Sequence, residues 1–99
     1  MENLLYVMMI EKSKSYNKLN RETIAKHVEH LKTLDETGKL FLCGPFKGYP
    51  GMAGMVILKT DSHEEAEEIC KAEPLVVLGY ATYKLSTLQV ANSENGYLL

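Results

Sequence analysis

The chain has 99 residues, the size of one domain, and 45% of them are hydrophobic, which excludes a disordered chain. Its net charge of −2 gives no electrostatic reason to expect nucleic acid or a membrane surface as a partner. Two cysteines, Cys43 and Cys70, stand outside any CxxC spacing, which suits a reducing, cytoplasmic compartment and reads as two buried, small apolar side chains.

Met1-Glu2-Asn3 has no basic character, so no signal peptide is expected. Leu4 to Ile10 reads as a strand with apolar residues on both faces, the pattern of a strand covered on both sides. It is far too short for a bilayer span, which needs about 20 residues in a helix. Glu11 to Leu19 is a polar connection. An excess of Lys and Arg runs from Lys12 to Lys32, with acids interspersed, and reads as solvated surface in preference to an anion site. Asn20 is a suitable N-cap for a helix from about Arg21 to Thr37. Ile24, Val28, Leu31 and Leu34 form one apolar stripe along it. His27 falls inside that stripe, between Leu31 and Leu34, so it should point at whatever the helix packs on. His30 falls at the stripe's edge. The i, i+3 spacing of His27 and His30 could serve a metal, but no third ligand converges in the sequence, and no metal is expected.

Gly38 fits a helix stop, because glycine takes the left-handed conformation cheaply. A short strand follows over 39–44, and Pro45 to Gly51 reads as a loop. Met52 to Leu58 is a second strand apolar on both faces. Asp61-Ser62 begins a second helix, with Ser62 and Glu65 spaced as a capping box. That helix has a narrow apolar face, Ala66, Ile69 and Cys70, and stops before Glu73-Pro74, since the residue before proline avoids helical angles. Leu75 to Gly79 is an apolar bridge. Tyr80 to Leu88 alternates as an edge strand can, with Ala81, Tyr83 and Leu85 on one face. The domain is expected over residues 1–90, with 91–99 a polar tail that ends in apolar residues.

The order β-α-β-β-α-β is that of an α+β, ferredoxin-like sandwich. Right-handed crossovers put the first and third strands in the centre. These are the two strands that are apolar on both faces, yet two helices cover only one face of a four-stranded sheet. The other face, carrying Leu5, Val7 and Met9 or their neighbours, needs a cover, and a second copy of the chain is the economical one. A homodimer through sheet faces is therefore expected.

A spaced set of residues extends this reading. It consists of Tyr6-Val7, His27, Gly38-Lys39-Leu40 beginning eleven residues later, Cys43-Gly44-Pro45-Phe46, and Glu73-Pro74 before Leu75-Val76-Val77-Leu78-Gly79. The set resembles the YCII-related (YciI-like) family over roughly residues 4–88. The resemblance implies a dimeric α/β barrel and does not imply a cofactor; the sequence has no phosphate-binding glycine motif, and no cofactor is expected. It also implies a proposed active site of one histidine and one aspartate, and one relative is a dehydrochlorinase. His27 matches the histidine. Glu73 stands where the family usually has Asp before Pro, with a side chain longer by one methylene.

His27 is thus the candidate general acid/base, and Glu73 the carboxylate that orients it or acts as a second acid/base. Tyr6 and Tyr83 could donate hydrogen bonds to a ligand, and the loop from Phe46 to Gly51 could close over a pocket mouth. His63, at the start of the second helix, should be exposed. The competing reading makes His27 a packing residue and the tyrosines part of the core. Three functions follow. The first is a cofactor-independent enzyme of lyase, isomerase or dehalogenase type with one pocket per subunit, between the first helix and the sheet. The second is a non-catalytic small-molecule-binding or regulatory homodimer. A cofactor-free oxygenase ranks last.

Overall fold

The computed structural model describes residues 3–99. Met1 and Glu2, read above for the lack of a basic leader, lie outside the described residues. The strands are β1 (Leu4–Lys12), β2 (Leu40–Pro45), β3 (Met52–Leu58) and β4 (Ala81–Gln89). The helices are α1 (Arg21–Glu36), α2 (His63–Ala72) and the one-turn α3 (Pro74–Val77). The sheet order is β2-β3-β1-β4, and every neighbouring pair is antiparallel. The fold is α+β and ferredoxin-like, the subunit architecture of dimeric α/β barrels, with the two doubly apolar strands at the centre.

The period of two decides what is buried. Tyr6, Met8 and Ile10 of β1 and Val56 and Leu58 of β3 point to the helical side. They meet Leu34 of α1, Ala66 and Cys70 of α2, and Leu75 of α3. On the opposite face Leu5, Val7 and Met9 alternate with them and are only half-buried. The β2 edge bulges between Leu40 and Leu42, which leaves Phe41 and Leu42 56% and 54% exposed. Gly54 lets β2 and β3 approach closely, since a Cβ there would lie 2.5 Å from the Gly44 carbonyl oxygen.

The helix ends follow local chemistry. Asn20 accepts from the Thr23 N–H at 2.9 Å. At the other end of α1, Gly38 (φ +74°) donates to Asp35 O, and Lys39 N–H reaches Leu34 O at 2.8 Å, a Schellman stop. Lys39 is committed to this cap, so β2 begins one residue later than the sequence suggests. Pro45 extends β2 instead of opening the loop, which an edge strand tolerates. Ser62 accepts from Glu65 N–H at 3.1 Å, but the Glu65 carboxylate bonds the Asp61 N–H at 3.0 Å and not that of Ser62. The apolar bridge is helical over α3, with Pro74 in its first turn. The tail carries 3-10 turns over Ser93–Leu98, kinked at Asn95 to Tyr97, and Asn95 and Asn92, which stands just before them, cap each other reciprocally.

Candidate active site

The interior of α1 and the junction of α2 with α3 bring the candidate dyad together. α1 carries His27 on its inward face, and the break between α2 and α3 places Glu73 beneath it. Glu73 has the extended angles that precede a proline, so its side chain turns back over its own successor. There its Oε1 accepts the Leu75 N–H at 3.1 Å, capping α3. The same Oε1 lies 2.7 Å from His27 Nδ1. Nδ1 can donate to this oxygen, which also accepts from the Leu75 N–H. The second oxygen, Oε2, lies 3.8 Å from His30 Nε2. The extra methylene of Glu73 therefore does not prevent the contact with His27.

Glu73 is 1% exposed. A buried polar side chain needs hydrogen-bond partners in place of water, and the Leu75 N–H and the His27 ring supply them. The His27 side chain is 22% exposed, so the ring bridges the buried carboxylate and open space. That space is a cavity of about 430 Å³ between α1 and the sheet. Ile24, His27 and Leu31 form its helical wall, and Cys43 to Pro45 with Ala53 to Val56 its sheet wall. Leu75 closes the bottom, and Tyr16 and Leu19 bound it from the segment before α1. Among the described residues, no group of three or more His, Cys, Asp or Glu side chains is arranged to hold a metal ion.

Residues 4–88 match the YCII-related domain. The chain belongs to this family. It is 42% identical over 62 residues to the uncharacterised protein YjpA of Bacillus subtilis, covering 63% of this chain and 71% of that one. In three dimensions it is similar to the 5-chloro-2-hydroxyhydroquinone dehydrochlorinase TftG of Burkholderia phenoliruptrix, solved in complex with 2,5-dihydroxybenzoquinone. That superposition has a TM-score of 0.73 at 14% sequence identity and covers 91% of this chain and 97% of the other, a likeness of fold.

Within the family fold the other candidates sit apart from His27. Tyr6 is buried in the core, its ring edge-on to His63 at 6.0 Å. Tyr83 lies on β4, where burial and the neighbouring Glu67 raise its hydroxyl pKa. Phe46 packs on Tyr49 at 5.3 Å and lines a small hollow with Lys12, Gly48 and Pro50. None of Tyr6, Tyr83 and Phe46 lines the His27 cavity. Sequence reasoning missed Tyr16, which does. It lies in a 3-10 turn, Tyr16–Lys18, too short to show any periodicity. It also undervalued His30, whose place at the edge of the stripe brings it to the far oxygen of Glu73.

Proposed function

We propose that this chain is a cofactor-independent small-molecule enzyme of lyase, isomerase or dehalogenase type, with His27 as general acid/base and Glu73 as its orienting carboxylate. One observation carries the reading: the 2.7 Å bond from His27 Nδ1 to a buried carboxylate, on a ring that also lines a cavity. With Nδ1 committed to Glu73, Nε2 is the nitrogen left to take a proton from a bound molecule. In this reading Glu73 orients the ring and holds its tautomer, while the apolar walls exclude water around it. The likeness of fold to a dehydrochlorinase solved in complex with 2,5-dihydroxybenzoquinone is consistent with such a step.

The active unit in this reading is a cytoplasmic homodimer joined through the open sheet faces. A non-catalytic binding or regulatory homodimer is the alternative, favoured by a cavity whose walls are mainly aliphatic.

The test is solvent deuterium exchange into cyclic 1,3-diketones and hydroquinones, followed by NMR, together with chloride release from chlorinated hydroquinones. The enzyme reading expects exchange or release by the wild type, and its loss in His27→Ala and His27→Gln with the circular dichroism unchanged. If no panel compound reacts, yet several bind equally to wild type and His27→Gln, the protein is a binding module.

A further inference from the structure

We infer that the His27 cavity takes a molecule with an apolar body and an anionic end, and that Lys12 receives that end. The inference rests on the reading of this cavity as the ligand site. Its walls are dominated by Ile10, Leu19, Ile24, Leu31, Val56 and Leu75, none of which can compensate a buried charge, and the one imidazole beside them, that of His27, is assigned above to proton transfer. A permanently anionic end is therefore better placed at the cavity's edge, where a cation can meet it.

The edge formed by Tyr16 has one. The Lys12 ammonium sits 5.2 Å from the centroid of the Tyr16 ring, and that ring lines the cavity. The Lys12 N–H donates to Gly51 O at 2.8 Å, which ties the end of β1 to the loop after β2. Lys12 also lines the small hollow with Phe46 and Tyr49. The lysine thus stands between the cavity's aromatic edge and the loop facing it.

The surrounding charge has one sign. From 12 to 21 the chain carries Lys12, Lys14, Lys18 and Arg21 and no acid, and Lys47 lies in the facing loop. All five are exposed. The acids flanking this stretch are engaged elsewhere: Glu11 lies 3.3 Å from Lys84, and Glu22 lies 3.7 Å from Lys26. A chain of net charge −2 therefore carries an acid-free basic stretch around Tyr16 and Leu19, two residues that line the cavity. Such a field draws in small anions and orients them with the charge outward, leaving the apolar body against His27. The ring beneath Lys12 helps to hold the ammonium in place.

The test uses 1-naphthoate and its neutral counterpart 1-naphthamide, titrated by NMR into wild type, Lys12→Gln and Lys12→Arg. The amide signals of His27, Leu31 and Leu75 report on the cavity. The expected result is that both probes shift these signals, with 1-naphthoate binding about fivefold tighter to wild type, the size of one partly exposed charge pair. That preference should fall to near unity in Lys12→Gln, survive in Lys12→Arg and weaken with added salt. Equal affinities for both probes in wild type, with the cavity signals shifting, overturn the anionic end and leave the cavity reading standing. A preference that persists in Lys12→Gln overturns the role of Lys12. If neither probe moves the cavity signals, the reading of the cavity as the ligand site fails, and this inference with it.

Discussion

The Glu73 carboxylate serves two elements. Oε1 closes the first turn of α3 through Leu75 N–H and holds the ring of His27 on α1, so the site and the α2–α3 corner share one oxygen. The inward aim of His27 was legible from its place between Leu31 and Leu34, although Ile24 and Val28 of the same stripe are 43% and 41% exposed. The reach of Glu73 was not, because it depends on side-chain rotamers and on a cap made by a residue outside the usual N-cap set. The cysteines make a separate test at this scale. Cys70 is fully buried on α2, and burial, with Glu67 and Glu73 nearby, pushes its thiol pKa up to about 12. It therefore stays protonated and inert near neutral pH. Cys43 is half-buried on the cavity wall. Iodoacetamide at about pH 7.5 should add a single group to the folded protein, located at Cys43 by peptide mapping, and two after denaturation. Comparable labelling of Cys70 in the folded state would contradict this packing.

At the scale of elements, the two periods, two for strands and 3.6 for helices, located β1, α1, β3, α2 and β4 to within two residues, the largest miss being β1, which runs on through the polar Glu11 and Lys12. α3 escaped because four residues cannot display a helical period. The boundary of β2 moved because the Schellman cap at Gly38 claims Lys39 for the helix. Lys39 has a further link: its ammonium bonds the Glu65 carboxylate, joining the start of β2 to α2. That bond, together with the Asp61 N–H, holds the Glu65 pKa below its ordinary value of 4.5. A depressed carboxyl pKa contributes stability that is complete above the unfolded value and is lost as pH falls through the lowered folded value. Wild type should therefore lose more stability on acidification below pH 4.5 than Glu65→Gln, whose side chain does not titrate. Urea midpoints measured for both proteins from about pH 7 to about pH 3 should converge as pH falls. Parallel curves would mean that the link does not contribute to stability.

For the whole molecule, the outward face of the sheet is the unfinished part. α1, α2 and α3 all lie on the other side, and among the described residues no helix is long and apolar enough to cross a membrane. Leu5, Val7 and Met9 of β1 and Met55 and Ile57 of β3 form an apolar centre there, and Phe41, Leu42 and Leu88 extend it. Phe41, Leu5, Ile57 and Leu88 also line a broad hollow of about 620 Å³ at one end of the face. Thr82, Lys84 and Ser86 make the β4 margin polar. An apolar centre with a polar rim is the anatomy of a protein interface, and a two-fold pairing would bury the same patch on both copies. A stable interface needs roughly 800 Å² from each partner, about the extent of a small sheet face. In the proposed homodimer, Val7 sits at the middle of that face on a central strand, where a carboxylate would be buried without a partner. Sedimentation at about 10 µM should therefore give twice the 11.1 kDa chain mass for wild type and the single-chain mass for Val7→Glu. The variant should keep the wild-type circular dichroism, because Val7 points away from the core that the helices cover. A wild-type monomer at that concentration rejects the dimer. A Val7→Glu dimer places the interface on another surface.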